Sequence, residues 1–267
     1  MIFGVREAFV HAATGVECFR VGVFGRVNTA VFLFRVGATL IDTGPPNRWK
    51  AVAEFLDSGP RPRDVFLTHF HEDHAGNAMR IAARYGARVW APAAALPLLA
   101  RPPPIELYRS LIWGAADSVN MGVGTPVAPY PVSSTVGSVR DAVVAVPAPG
   151  HSVDHTLIHI PSRGALFTAD LFVAPRPRVA RYDEDVLLGL ASLRSAAALP
   201  NHETLFCAHR GPLDAGPRLL AEKTAWLDSL KERATELCEE QPSETGRVGV
   251  RLRSTLPPPP LLTLSRR

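Results

Sequence analysis

The apolar positions of the chain follow two periods, and the changes between them predict its elements. Near the start, "VECFRV", "NTAVFLFRV" and "ATLIDTG" are short runs rich in β-branched and aromatic residues, broken by glycine, and they predict strands. In "NRWKAVAEFLDSG" the spacing changes: Trp49, Val52, Phe55 and Leu56 recur at helical intervals and the pattern stops at Gly59. "RDVFLTH" predicts a compact strand, and "AGNAMRIAARYGARVWAP" a helix closed by Gly86 and followed by another strand, together a βαβ unit.

From Pro92 to about Pro131 the periodicity breaks down among many prolines, leaving one predicted helix near Ile105 to Trp113. This segment, 92–131, reads as an insertion covering something. Strands resume in "DAVVAVPAPGH", "HTLIHIPS" and "GALFTADL", then a helix in "DVLLGLASLRSAAAL", a strand in "ETLFCAH" and a long amphipathic helix in "RLLAEKTAWLDSLKERATELCEE". The Pro-rich tail, 241–267, has too little periodic apolar content to require order, so the expected organisation is one domain over 1–240 and a flexible tail.

Composition adds bounds. At 267 residues and 46% hydrophobic the chain can bury a large core. Its net charge of +4 and pI near 9.2 come from scattered arginines, without the concentrated stripe that nucleic acid would call for. Cys18, Cys207 and Cys238 fit neither a disulfide framework nor a paired-cysteine metal site, which suits a reducing compartment. Neither a signal peptide nor a membrane span is visible, so a cytoplasmic location is the expectation.

The chemistry is concentrated in "THFHEDH", where His69, His71, Asp73 and His74 follow a strand. Capping and core packing explain a lone histidine or aspartate at a strand end, but not this cluster. The histidines at i, i+2 and i+5 cannot share a helical face; they converge only from a loop. Asp42 in "LIDTG", His151 in "PAPGHS", Asp170 in "LFTAD" and His209 in "LFCAHRG" also end apolar strands. Imidazoles and carboxylates gathered from loops at one sheet edge are ligands for a divalent cation, and the absence of a thiolate pair points to a catalytic rather than a structural site.

"THFHEDH", followed by "GH", "FTAD" and "AH", resembles the metallo-β-lactamase superfamily, in particular its glyoxalase II-like, lactonase-like and thioesterase-like branches. The resemblance spans roughly Val16 to Leu237 and implies an α/β (α+β) fold, a four-layer αββα sandwich of two mixed sheets flanked by helices. It implies His69, His71 and His151 on a first metal, Asp73, His74 and His209 on a second, Asp170 bridging, and Asp42 orienting a ligand from behind. The common β-lactamases carry a cysteine where Asp170 stands, which turns the expectation away from antibiotics. Diiron flavoproteins carry glutamate in place of His71.

The expected activity is hydrolysis by a water activated between two divalent ions, zinc first, with iron or manganese equally served by these ligands. Asp73 would orient that water and pass its proton on, while Asp170 would fix the metal separation; Glu72 is expected to face solvent. Substrate contacts are expected from Tyr108, Trp113 and Tyr130 in the insertion and from Arg176, with Arg178 and Arg181 nearby. That apolar, aromatic cover favours an ester-like carbonyl, a thioester or lactone on a small molecule or acyl carrier. The alternatives are phosphodiester cleavage as in RNA-processing branches, a mononuclear-iron sulfur oxygenase, and a protein that only binds a ligand. Asp154, His155 and Cys207 are expected to be non-ligands.

Overall fold

Successive residues of the buried strands go to different cores, and this builds the layers. A computed structural model describes residues 4–24, 29–115, 127–130, 142–177, 180–240, 247–250 and 262–265. In β3 (Ala30–Val36), Val31 and Leu33 enter one cluster while Phe32, Phe34 and Val36 enter another. The same alternation separates Leu205 from Phe206 and Leu166 from Phe167. A strand buried on both faces reads as a continuous apolar run, which is how these segments look in the sequence.

The first sheet has the order β1 (Val5–His11), β2 (Val16–Gly22), β3, β4 (Thr39–Ile41), β5 (Asp64–Phe66), β6 (Arg88–Ala91) and β7 (Val127–Pro129). It is antiparallel as far as β4 and parallel beyond. The second runs β12 (Gly211–Asp214), β11 (Thr204–Cys207), β10 (Ala165–Ala169), β9 (Thr156–Ile160) and β8 (Val144–Pro147), with only β10 and β11 parallel. Between the sheets lies a core centred on Phe34, Phe66, Phe167 and Phe206. Outside the first sheet pack α1 (Trp49–Asp57) and α3 (Ala78–Tyr85); outside the second, α6 (Val186–Ala197) and α7 (Gly216–Glu240). Two mixed sheets with helices on both outer faces are the sandwich the sequence implied.

Three elements depart from the predicted pattern. Strand β1 is mostly exposed, an edge strand whose polar residues hide its period. The 92–131 segment contributes α4 (Leu96–Ala100), α5 (Leu107–Trp113) and the edge strand β7, so part of it is built into the first sheet; its residues 116–126 and 131 lie outside the described residues. The tail, where no element was predicted, carries an antiparallel pair, β13 (Arg247–Val250) and β14 (Leu262–Ser265). Among the described residues, no helix is long and apolar enough to cross a membrane.

Candidate metal centre

The site lies where five strands hand over to loops. Asp42 follows β4 and His69 follows β5. The short helix α2 (Glu72–Ala75) starts at His71 and carries Asp73 and His74; His151 follows β8, Asp170 follows β10 and His209 follows β11. Two of these handovers use left-handed backbone at non-glycine residues, Asp42 at φ 58° and Ala169 at φ 42°. Such conformations cost of order 1–3 kcal/mol and gather at functional sites. At Ala169 the pairing with β11 also shifts register, which breaks the ladder just before Asp170. Before His151, Gly150 has φ 144°, and a β-carbon there would fall 2.3 Å from the Gly189 Cα. Only glycine lets the His151 loop close on α6.

Three imidazole nitrogens converge in the first cluster. His71 Nδ1 lies 2.9 Å from His69 Nε2 and 3.2 Å from His151 Nε2. Tetrahedral zinc with its usual Zn–N lengths sets nitrogens about 3.3 Å apart, so these separations fit one cation. In the second cluster His74 Nε2 and His209 Nε2 stand 3.7 and 3.8 Å from Asp73 Oδ2. Asp170 lies between the clusters, with Oδ1 3.5 Å from His74 and Oδ2 3.3 Å from both His151 and His209. Five of the seven residues are buried and the His209 and Asp170 side chains keep only 11% and 9% exposure, yet among the described residues His74 Nε2 and Asp170 Oδ1 have no hydrogen-bond partner. Orphaned buried polar atoms are costly, and here they sit inside nitrogen and oxygen groupings able to hold cations, His69–His71–His151, His69–His74–Asp170 and Asp73–His74–His209. The residues fit metal ions.

In four of the five histidines the other ring nitrogen is tied to an oxygen, which fixes the tautomer. His74 Nδ1 donates to Asp42 at 2.8 Å, His151 Nδ1 to Glu184 at 2.7 Å, and His209 Nδ1 to the Ala30 carbonyl at 3.0 Å. His69 Nδ1 meets the Thr68 hydroxyl at 3.0 Å, and that hydroxyl and the Thr68 amide both donate to Asp42. Each of these four histidines therefore presents Nε2 to the centre. Asp42 thus contacts the rings of the cluster directly at His74 and through Thr68 at His69. Glu184, Thr68 and the Ala30 carbonyl have no sequence signature; "YDED" offers three acids and nothing to single out the one that reaches His151.

The two clusters differ in charge. Burial, reinforced by neighbouring imidazoles, holds His69 and His71 well below the ordinary histidine range, so both are neutral with a free lone pair. Burial opposes a charge on His74 too, but Asp73, Asp170 and Asp42 outweigh it and raise that histidine well above its ordinary value. His209 is raised to about 9: burial works against its charge, and Asp170 and Asp73 prevail. Asp170 is held well below the carboxylate range, against burial, by His209, His74 and His151.

Several expectations change. Glu72 does not face solvent: it is 3% exposed, and Arg109 on α5 grips it with two 2.7 Å hydrogen bonds. Arg109 also comes within 3.9 Å of Asp73, so α5 is pinned to the ligand motif. Tyr130 is not a free pocket residue; its ring stacks on Phe66 at 5.9 Å and its hydroxyl donates to the Leu67 carbonyl. Trp113 belongs to the first core, although its ring lies 6.1 Å from that of His209. Tyr108 is exposed. Arg176 turns to α7, pairing with Glu222 at 3.1 Å, and Arg181 pairs with Asp183; Arg178 lies outside the described residues. His155 is buried beside His69 and kept neutral, its pKa lowered to about 3, and it joins none of the ligand groupings. Asp154 accepts the Phe70 amide and braces the loop. Cys207 is buried, its thiol raised to about 11 by desolvation.

Known proteins resemble the chain in sequence and in fold. Hydroxyacylglutathione hydrolase of Mesorhizobium japonicum is 26% identical over 193 residues, 72% of this chain and 65% of that protein. A thioesterase of Emericella nidulans is 31% identical over 176 residues, 64% of this chain and 43% of that one. The chain thus spans less than two thirds of the length of these curated relatives. Among solved structures, a beta-lactamase domain protein from Burkholderia ambifaria superimposes with TM-score 0.67 at 20% identity, over 88% of this chain and 80% of that one, a likeness that bears on the fold alone. Residues 24–209 match the model of the metallo-beta-lactamase superfamily, which holds the strand-end motifs from Asp42 to His209, and the chain belongs to that superfamily.

Proposed function

We propose that the chain is a metal-dependent hydrolase of thioesters carrying two divalent cations, zinc first. The observation that supports it most is the pair of buried ligand clusters with the Asp170 carboxylate between them. His69, His71 and His151 would hold one cation, Asp73, His74 and His209 the other, and Asp170 both. When bound, such cations supply an activated water and polarise the carbonyl under attack. Asp42, Thr68 and Glu184 keep the imidazoles aimed. Asp73 would take up the proton of such a water at its carboxylate, which lies 3.9 Å from the Arg109 guanidinium.

The leaving group separates the candidate bonds. With the other six side chains serving only as ligands, Asp73 alone would hand on a proton, which is little help to an alkoxide leaving group. A thiol near pKa 8.5 departs as thiolate and needs little help. Two similar proteins point the same way: one is named a thioesterase, and a hydroxyacylglutathione is by its chemistry a thioester. The substrate is read as a small molecule or an acyl group on a carrier, and Trp113, beside His209, as the nearest contact from the covering segment.

The test is a panel of thioesters, lactones and phosphodiesters offered to the metal-loaded protein. Thioester cleavage should dominate and vanish both on chelation and in His71→Ala, which removes one of three imidazoles. Turnover of lactone or phosphodiester with thioesters untouched contradicts the reading.

A further inference from the structure

A cleft with about 140 Å³ of internal space opens among the segment after Asp170, α6 and α7, and the metal-site residues His151 and Asp170 line it. Its other walls are largely apolar: Leu171, Val173, Leu193, Leu227 and Leu230. Into this setting α7 places Lys223, 7% exposed. Its ammonium carries three donors. Among the described residues it has one hydrogen-bond acceptor, the Leu171 carbonyl, with the Phe172 ring centroid 5.4 Å away, and no carboxylate within ion-pair distance.

The acids of the cleft are already engaged. Asp170 faces three histidines, Glu184 accepts from His151 and from the Arg181 amide, and Asp185 caps α6 by accepting the Leu188 amide. A buried ammonium without a counter-ion is expensive, and an apolar cleft that needed only greasy contacts would not contain one. A cavity of about 150 Å³ takes a molecule the size of benzene, which sets the scale of the group that fits.

We infer that this cleft is the acyl subsite, taking a short apolar acyl chain that ends in an anionic oxygen group, a carboxylate in the simplest case, with Lys223 as its counter-ion. The inference rests on the thioester reading. Attack at the carbonyl beside His151 and Asp170 leaves the chain in the cleft and its far end at the ammonium. A lysine serving only to fix the Leu171 carbonyl would affect every substrate alike; a counter-ion distinguishes charged from neutral chains.

The experiment compares glutaryl and hexanoyl thioesters of N-acetylcysteamine on the metal-loaded enzyme and on Lys223→Met, with thermal melts and metal content as controls. Wild type should favour glutaryl in kcat/KM by at least about ten-fold, the worth of a hydrogen bond to a charged group. Lys223→Met should lose that preference and leave hexanoyl nearly unchanged. A wild type that favours hexanoyl, or a variant that keeps the ratio, overturns the assignment. Should the variant not fold, the wild-type ratio decides by itself. Calorimetric titration of glutarate and hexanoate into the metal-loaded protein separates the two readings: glutarate binding that Lys223→Met abolishes, with no thioester cleaved, leaves the subsite standing and removes the thioesterase. Glutarate binding no tighter than hexanoate overturns the subsite.

Discussion

The three-histidine cluster and the aspartate-containing cluster sit within one ligand network and are built on opposite electrostatic plans. His69 and His71 are stripped of charge by burial and by neighbouring imidazoles, so these two offer lone pairs to a cation without losing a proton. His74 and His209 are held protonated by Asp73, Asp170 and Asp42, so in the second cluster protons occupy the positions a cation would take. The difference teaches that the two clusters are electrostatically unequal: a cation at the second would have to displace more protons than one at the first.

Removing what the clusters share should have the largest effect. Asp170→Asn keeps the side chain's shape and takes away the charge that both clusters face at 3.3–3.5 Å. Turnover should fall by at least about 100-fold, the upper range for groups that tune a metal site. At least one metal should be held more weakly, while the melting transition persists because Leu166 and Phe167 still pack. A variant that binds two metals as wild type does and turns over similarly returns Asp170 to a structural role.

Acid should separate the clusters next. His209, raised to about 9, and His74, raised well above its ordinary value, both carry protons at pH 7, and a metal must displace them. The second affinity should therefore rise with pH up to about 9, by up to about two decades per unit for two protons released. First-cluster affinity should depend less steeply on pH, because His69 and His71 are already neutral near neutrality. Metal titrations across pH 6 to 9 check this; equal slopes erase the distinction.

The smallest effects come from behind the ligands. Glu184→Gln loosens His151 and Asp42→Asn loosens His74, each through one hydrogen bond. Each should cost about ten-fold in metal affinity, the lower range for such partners, and at its own cluster first. Stepwise metal titration of the two variants would reveal crossed or equal losses, and either result breaks the correspondence.

The part of this legible in sequence is the part written locally. Continuous apolar runs gave the doubly buried strands, and "THFHEDH" with the strand-end residues Asp42, His151, Asp170 and His209 gave the side chains that the fold gathers at one place, because each motif occupies a few adjacent positions. What stayed hidden depends on distant chain. Nothing around Glu72 announces that Arg109, 37 residues later, will bury it, so an acid between ligands read as a solvated one. Glu184 reaches His151 over 33 residues, and the Ala30 carbonyl, which has no side-chain signature at all, reaches His209 over 179. Tyr130 read as pocket because its segment is irregular, but the edge strand beside it delivers the ring to Phe66. Edge strands such as β1 and β7 are short or half polar, and their period is lost against the background.

The central claim is that these two clusters are two metal sites, and metal content under controlled loading tests it most directly. Protein stripped with chelator and titrated with zinc at neutral pH, followed by elemental analysis and calorimetry, should take up two ions per chain in two steps. The first should bind with fewer protons released than the second and be lost in His71→Ala. Saturation at one ion per chain with full activity, or two ions in the His71→Ala variant held as tightly as in wild type, contradicts the account.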